Sequence, residues 1–300
     1  MDRFYDKEEA AQAIKLLIKE RCGKDAKHLS RILKDPDVLD SVSVEKDDAE
    51  NIWKLVFTAT GVIIAQDLPP VARESRISKD EIRFLSQYVR ISGMGSIAFE
   101  DTIIALKGIQ QLGEREFQEG SLEEWTQFTV QGHDAIEFSN RYFTPCSQAI
   151  NGDSVRFPMD VDPNGVPQKM AGTQWIHAED NEVRYYRGVI DIGKKRYMVA
   201  KPQTFRVGDI VEIQMSMVFV KDKRGLVKMK TILRAIALVN CDLTMKADRD
   251  RKQHTGSTPT TSFSRMKRKI GFEDDEEEDL TGHRGKRHEE ERVEEMMTDD

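Results

Sequence analysis

The stretch from Phe205 to Asn240 constrains the fold of this chain more than any other part. It reads FRVGDIVEIQMSMVFVKDKRGLVKMKTILRAIALVN. Two long runs rich in β-branched residues alternate between apolar and polar positions, and a charged turn containing Gly225 separates them. A period of two is typical of strands that bury one face. The sequence therefore predicts a long antiparallel hairpin, introduced by the polar turn Val207-Gly208-Asp209.

Shorter strand patterns precede this hairpin. Residues 174–178, 183–192 and 196–201 are rich in aromatic and β-branched residues and are separated by polar or glycine-containing turns. With the hairpin they make about five strands, enough for a small sheet or barrel. We therefore predict a small antiparallel β-barrel-like or curved-sheet domain over residues 151–245.

The first half of the chain shows mainly helical periodicity. Apolar residues recur at three and four residue steps over 6–22, 26–33, 82–89 and 99–112, and a short capped segment follows Ser121. Residues 47–66 are apolar almost all round, which predicts a buried helix, with a strand pair broken at Gly61 as the alternative. We predict a mainly α-helical domain over residues 1–150, and thus an α+β protein.

The last part differs from both halves. Residues 246–300 contain few large apolar side chains and carry blocks of like charge, including the acidic run from Glu273 to Asp279. Low hydrophobicity combined with such blocks predicts a disordered, charged C-terminal tail.

Composition limits the function classes. The formal net charge of −7 argues against coating nucleic acid by bulk charge, although a local basic patch is compatible with it. No apolar run reaches the roughly 18 residues of a membrane span, and the N-terminus does not have the pattern of a secretory signal. Cys22, Cys146 and Cys241 are widely spaced and form no CxxC pair. We therefore expect no secretion, membrane partner, disulfide framework or metal site, and no cofactor motif is found.

Aromatic and basic residues alternate on the shorter strands. Single strands of nucleic acid stack on aromatic faces beside cations that follow their backbone, although core aromatics between exposed cations have the same alternation. The candidate residues for binding nucleic acid or another partner are Trp175, Arg184, Tyr185, Tyr186, Arg187 and Tyr197.

Two other functions are compatible with the sequence. His133-Asp134, Cys146 and His177 supply the residue types of a cysteine-dependent enzyme, but nothing in the sequence shows that they meet, so we assign no catalytic residue. A structural protein that forms a homo-oligomer through its helical half is the second alternative.

The tail contains two basic clusters on either side of the acidic run. A pair of such clusters is typical of a bipartite nuclear-import signal, although the spacer here is long and acidic. The candidate import residues are Lys267, Arg268, Lys269, Lys286 and Arg287.

Two resemblances add to this interpretation. The segment FRVGDIVEIQMSM resembles the entry strand of small β-barrel reader modules of the bromo-adjacent-homology or SH3-like type, which implies a chromatin role. Residues 140–245, with NEVRYY, PQTFRVGDIVE and LRAIAL as their most characteristic runs, are similar to a group of uncharacterised proteins from mushroom-forming fungi. That group implies a lineage and no site residue. We therefore expect a non-enzymatic, nuclear or nucleocytoplasmic protein that binds nucleic acid or protein.

Overall fold

The computed structural model describes residues 1–22, 28–32, 45–47, 52–71, 79–149, 154–191, 194–222 and 224–256. One compact unit extends from Met1 to Lys252, and a second unit extends from Gln253 to Asp300, of which only the first residues are described. The first unit combines helices with a large mixed β-sheet, which confirms the predicted α+β class.

The described helices are α1 (Lys7–Cys22), α2 (Leu29–Ile32), α3 (Ile97–Glu114), α4 (Val166–Ala171) and α5 (Asp242–Gly256). The described strands are β1 (Glu45–Asp47), β2 (Ile52–Asp67), β3 (Ser86–Ser92), β4 (Phe128–Val130), β5 (His133–Arg141), β6 (Thr144–Pro145), β7 (Trp175–Ile176), β8 (Arg184–Asp191), β9 (Lys194–Val199), β10 (Ile210–Lys221) and β11 (Val227–Asn240). Short 3₁₀ helices cover Lys79–Phe84, Cys146–Gln148, Glu179–Asn181 and Pro202–Thr204.

The main sheet is mixed and has the strand order β4-β5-β3-β2-β10-β11-β8-β9, with β1 paired to β2 off this path. Most neighbours are antiparallel, but β11 runs parallel to β8 at one end. It also meets β5 in parallel through Ile232 and Ser139. The strands β5, β3, β2, β10 and β11 therefore form a closed circuit of pairings. The strands β6 and β7 form a separate small sheet.

The hairpin predicted from the alternation is confirmed in β10 and β11. Val211, Ile213 and Met215 on β10 are fully buried, and the two strands pair from Ile210 opposite Asn240 to Lys221 opposite Val227. Irregularities in register lie beside Ile210 and between Gln214 and Met215.

The turn before β10 is fixed from several directions. Gly208 has φ +103°, a left-handed conformation that favours glycine. Its carbonyl accepts a hydrogen bond from the Tyr5 hydroxyl at 2.7 Å, and the Arg206 amide donates to a carboxylate oxygen of Asp209 at 2.8 Å. Burial raises the pKa of Asp209. These contacts join the N-terminal segment to the beginning of β10.

Two apolar clusters lie on opposite sides of β2. Ile63 belongs to the main core, which contains the inner side chains of the sheet and Phe99, Ile103 and Leu106 of α3. Its neighbour Val62 belongs to a second cluster, in which α1 and α5 pack against β2 and β10. Because successive strand residues point to opposite faces, β2 is buried on both sides.

Three helical predictions in the first half are wrong. The predicted buried helix over 47–66 is the strand β2, which continues through Gly61 without a break. A Cβ at Gly61 would lie 3.1 Å from the side chains of Ile91 and Phe99, so glycine permits close packing at this point of the strand. The predicted helix over 82–89 is a 3₁₀ turn followed by β3. The segment after Ser121 is an extended chain that leads into β4.

The helix predicted over 6–22 is confirmed as α1, and the one over 99–112 is confirmed within α3. The Glu9 amide donates to the Asp6 side chain at 2.9 Å, as the capping pattern indicated.

The predicted division near residue 150 does not match the sheet. β2 lies before it and β10 after it, yet the two strands pair from Leu55 opposite Met217 to Val62 opposite Ile210. Residues 1–150 therefore do not form a separate helical domain. Residue 246 falls inside α5, so the predicted tail does not begin there, and residues 257–300 lie outside the described part of the chain.

Candidate nucleic-acid interface

The candidate binding residues from the sequence are dispersed. Tyr185 is 5% exposed, its hydroxyl donates to the Gln87 side chain, and its ring contacts Phe205 at a centroid distance of 6.0 Å. Burial raises the pKa of Tyr185 well above its usual value. Its assignment as a base-stacking residue is therefore corrected, because a core ring has no free face. Trp175 lies apart on β7, half-buried against the core.

The other four candidates are on β8 and β9. Tyr186 and Tyr197 lie on one face, since Tyr186 is opposite Val199 and Tyr197 is opposite Gly188. The Arg21 guanidinium covers Tyr197 at 5.5 Å from the ring centroid, and the Tyr197 hydroxyl donates to Glu212 at 3.1 Å.

The two arginines of this group lie on opposite faces of β8. Arg187 is exposed on the opposite face from Tyr186, because successive strand residues alternate. Arg184 lies on the same face as Tyr186, contacts it by a side-chain hydrogen bond, and is paired with Glu182 at 3.5 Å. Trp175, Tyr185 and Arg187 lie off this face, so the six candidates do not make one continuous aromatic and basic surface.

The residues considered for cysteine chemistry are also separate. His177 is buried and stacks on Phe157 at a centroid distance of 3.9 Å, with its Nδ1 2.8 Å from the Tyr142 carbonyl oxygen. Burial lowers the pKa of His177. Cys146 is exposed, and its thiol contacts the Thr173 carbonyl at 3.5 Å. Within the described residues, no hydrogen bond connects Cys146 with His133 or His177.

A different surface combines exposed aromatic rings with cations. On β3 and β5, Val89, Ile91, Ile136 and Phe138 are fully buried, and the alternate positions over 86–90 and 137–141 are partly or largely exposed. These outward positions pair across the strands as Ser86 with Arg141, Tyr88 with Ser139, and Arg90 with Glu137. We call this surface, with Phe128 on β4 and Lys230 and Ile232 on β11, the β3–β5 face.

One end of the β3–β5 face contains an ordered stacking group. The Arg90 guanidinium donates to the Glu137 carboxylate at 2.6 Å and lies 4.1 Å from the centroid of the Phe128 ring. Phe128 keeps 44% of its surface exposed. Arg90 thus covers one side of the ring, while part of the ring remains accessible to a ligand.

The 3₁₀ helix that leads into β3 is also aromatic and basic. Phe84, which is 68% exposed, lies two residues before Ser86, and the Arg83 guanidinium is 4.4 Å from its ring centroid. Arg141 is exposed opposite Ser86. Tyr88, the aromatic residue of β3, is half-buried between this helix and the Phe128 end of the face.

The electrostatic balance of the face is positive. Arg83, Arg141 and Lys230 are exposed and have no carboxylate partner among the described residues. Glu137 is already neutralised by Arg90. Asp67, opposite Tyr88 on β2, is an acid at the edge of the face.

Sequence reasoning missed this face because residues 82–89 were interpreted as a helix. The signal that could have revealed it is the alternation of Ser86, Tyr88 and Arg90 with Gln87, Val89 and Ile91, all of the second set buried. Over so short a segment, the spacing of the few apolar residues fits both the period of a helix and the period of a strand.

The candidate import residues in the tail lie outside the described part of the chain, so the nuclear-import signal stays a prediction. No helix in the described ranges is long and apolar enough to cross a membrane. Among the described residues, no group of three His, Cys, Asp or Glu side chains could hold a metal ion.

Comparison with known proteins gives little similarity. No protein-family model matches the chain, and no curated protein matches it. The chain is similar to a solved structure, the single-stranded DNA binding protein gp2.5 encoded by bacteriophage T7, with 14% identity and a TM-score of 0.31. The match covers 62% of this chain and 91% of the phage protein. At this TM-score the similarity does not establish a shared fold. The resemblances to the fungal group and to the reader modules stay predictions.

Proposed function

We propose that this protein binds single-stranded nucleic acid on the β3–β5 face. The observation that carries the proposal is the presence, on one side of the sheet, of exposed Phe128 with the cations Arg141 and Lys230, and of Arg83 and exposed Phe84 in the 3₁₀ helix that leads into β3. The three cations have no carboxylate partner in the described part of the chain. Unpaired bases offer flat apolar surfaces that stack on aromatic rings, and phosphates are bound by cations beside them.

The circuit of strands supports the same function. Five strands, β2, β3, β5, β10 and β11, pair in a ring that the contact between Ile232 and Ser139 closes. We infer that they form a small barrel. Five-stranded barrels of the OB type bind oligonucleotides on the face of their second and third strands. In this chain those strands are β3 and β5.

The chemistry favours single strands over duplexes. In a duplex the bases are stacked on one another, so Phe84 and Phe128 would have no free base to cover. The cations would still attract the phosphates, but without the apolar contribution of the rings. We therefore expect tighter binding to an unstructured oligonucleotide than to a duplex of the same length.

The test is a binding titration of the full chain against a fluorescent single-stranded oligonucleotide over a series of salt concentrations. The triple variant Arg83→Ala, Arg141→Ala and Lys230→Ala should bind more weakly and less steeply with salt. Each lost phosphate contact reduces the slope of log K against log salt by about 0.7, so the three should reduce it by about 2.

A matched control removes three exposed lysines from helices outside this face, Lys15, Lys19 and Lys169. It changes the net charge equally and should leave the slope unchanged. Equal slopes for the two triple variants would show that only overall charge matters, and absence of binding at low salt would refute the proposal.

We further propose that the tail directs the protein to the nucleus, where the partner would be nuclear nucleic acid or chromatin. This rests on the basic clusters that contain Lys267 to Lys269 and Lys286 to Arg287. A reporter fused to residues 246–300 should enter nuclei and should stop doing so when those five residues become alanine. Entry that is unaffected by these changes would remove the localisation proposal without affecting the binding proposal.

A further inference from the structure

The turn between β3 and α3 presents a helix N-terminus to solvent. β3 ends at Ser92, residues 93–96 form the turn, and α3 begins at Ile97 and contains 18 residues. Gly95 in the turn is exposed, and Ile97 is 71% exposed. A glycine-containing turn from a strand into a helix is a setting in which backbone N–H groups and the helix dipole bind phosphate.

The geometry of this turn accounts for both of its glycines. A Cβ at Gly93 would lie 2.2 Å from the Cβ of Phe99, so glycine lets α3 begin this close to the end of β3. Gly95 has φ +85°, a left-handed conformation that favours glycine. A Cβ at Gly95 would lie 3.6 Å from Nδ1 of His133, so the turn lies beside the imidazole at the beginning of β5.

Two backbone amides at the start of α3 have no acceptor within the helix. The Ser96 amide donates to the Gly93 carbonyl at 2.9 Å, and the Phe99 amide donates to the Ser96 carbonyl at 2.9 Å. Between them, the amides of Ile97 and Ala98 have no acceptor among the residues that the structure describes. An anion at the helix N-terminus accepts hydrogen bonds from such amides.

The hydroxyl of Ser96 is buried at the same helix terminus. Ser96 is the N-cap residue of α3, where a serine hydroxyl usually accepts a hydrogen bond from the first turn, but no such bond forms here. The residue is 6% exposed, and its Oγ has no hydrogen-bond partner in the described part of the chain. A buried hydroxyl without a partner is costly, so a ligand oxygen that accepts from it is favoured at this position.

We propose that the N-terminus of α3 binds a phosphate group. The amides of Ile97 and Ala98 and the hydroxyl of Ser96 donate to its oxygens. The imidazole of His133 supplies a further donor from the side of Gly95. Because β3 and β5 pair antiparallel, this turn does not belong to the parallel βαβ unit of dinucleotide-binding folds. The site therefore recognises a single phosphate group and not a dinucleotide.

The phosphate site lies at the Phe128 end of the β3–β5 face. Ser92, the last residue of β3, is opposite Ala135 on β5, which is opposite Phe128 on β4. Two sources can therefore supply the same chemistry, a phosphate of a strand bound on that face or a free phosphorylated molecule. Inorganic phosphate alone should bind here, whether or not the β3–β5 face binds a strand.

The affinity for a single phosphate should be weak. Glu100 is an exposed acid in the first turn of α3, so it competes with an anion for the positive end of the helix dipole. We expect a Kd for inorganic phosphate on the order of 1 mM.

Titration of the ¹⁵N-labelled full chain with inorganic phosphate, followed by amide chemical shifts, tests the site. The amides of Gly95, Ile97 and Ala98 should shift together and saturate. Ser96→Ala should raise the Kd about 3- to 10-fold, and it should leave the urea midpoint unchanged because the hydroxyl bonds nothing in the described fold. No saturable shift up to about 20 mM, roughly twenty times the expected Kd, would overturn the proposal. A lower midpoint with an unchanged Kd would overturn the role of the hydroxyl.

A pair of charge variants on the same helix gives a second measurement. Ile97→Asp places a carboxylate beside the bound phosphate and should raise the Kd at least about 5-fold. The matched control Ile104→Asp replaces a residue that is 53% exposed two turns further on, about 10 Å away. It should change the Kd less than about twofold at about 0.15 M ionic strength, where charges are screened over about 8 Å. Equal effects of the two variants would contradict a site at the helix N-terminus.

The same two variants separate the sources when the single-stranded oligonucleotide is the ligand. A larger loss of oligonucleotide affinity for Ile97→Asp than for Ile104→Asp assigns the bound phosphate to the strand. Equal affinities, with phosphate binding still lost in Ile97→Asp, assign the site to a free phosphorylated molecule. Failure of the parent chain to bind the oligonucleotide would refute the proposed function alone, and failure to bind inorganic phosphate would refute this site alone.

Discussion

Replacement of Phe128 by alanine should weaken binding to single strands without changing its dependence on salt. A phenylalanine side chain covers roughly 200 Å² of contact area, of which 44% is free in this structure, so about 90 Å² is available to a base. At about 25 cal/mol per Å² this corresponds to an upper limit of about 2 kcal/mol. That limit lies within the range of about 1 to 3 kcal/mol for stacking of one base on one aromatic ring.

The expected loss of affinity for a single-stranded oligonucleotide is therefore up to about 30-fold, with an unchanged salt slope because no cation is removed. Fluorescence anisotropy at three or more salt concentrations measures both quantities. Leu16→Ala on α1, which removes a side chain that is 68% exposed elsewhere, is the matched control. A change of less than twofold for Phe128→Ala, or an equal loss for duplex DNA, would contradict a stacking role for this ring.

Three further expectations concern the stability of the fold, each measured by urea unfolding. Tyr5→Phe removes the buried hydroxyl that donates to a backbone carbonyl before β10, and should lower the free energy of unfolding by about 1 to 3 kcal/mol. Burial lowers the pKa of His177, so the unfolded chain binds a proton more readily than the folded one, and stability should decrease as the pH falls below about 6.5. His177→Phe should flatten that dependence, and an unchanged pH profile would argue against this residue as its source. Gly113→Ala places a Cβ 2.3 Å from the Phe219 ring and should cost about 1 to 3 kcal/mol, while Gly108→Ala on the same helix should be neutral or stabilising.

The hairpin and the two long helices could be predicted from sequence because their patterns have only one interpretation. In β10, apolar residues alternate with polar ones from Val211 to Met217, a period of two that an amphipathic helix does not have. The helix α1 has the capping residue Asp6 and a clear apolar period. In a long helix or strand with one buried face, the sequence pattern alone identifies the secondary structure.

The strand β2 could not be assigned in this way. It is covered by the main core on one side and by α1 and α5 on the other, so Val62 and Ile63 are both fully buried. A strand buried on both faces has no period of two and cannot be distinguished by periodicity from a buried helix. Its β-branched residues favoured a pair of strands with Gly61 as the break between them, but residue preference is weaker evidence than periodicity, and here the period of two is absent.

The candidate interface was not predicted because of this error. Once β2 and the segment after residue 82 are interpreted as helices, Tyr88, Arg90 and Phe128 belong to different elements and have no reason to be neighbours. Only the pairing of β3 with β5 and of β5 with β4 brings them together. The aromatic and basic residues of β8 and β9 could be identified from the sequence, but their exposure could not. The hydroxyls of Tyr185 and Tyr197 form hydrogen bonds with Gln87 and Glu212 within the fold.

The pairing of β2 with β10 also affects how the chain is made. One edge of β2 can pair with β3 soon after synthesis, but its other edge needs Ile210 to Met217, roughly 150 residues later. At about 5 to 20 residues per second the ribosome needs about 8 to 30 s to supply them. During that time an apolar strand has an open edge that can pair with other chains. Expression as separate halves would make this exposure permanent, so the first unit is expected to be obtained in soluble form only as a whole.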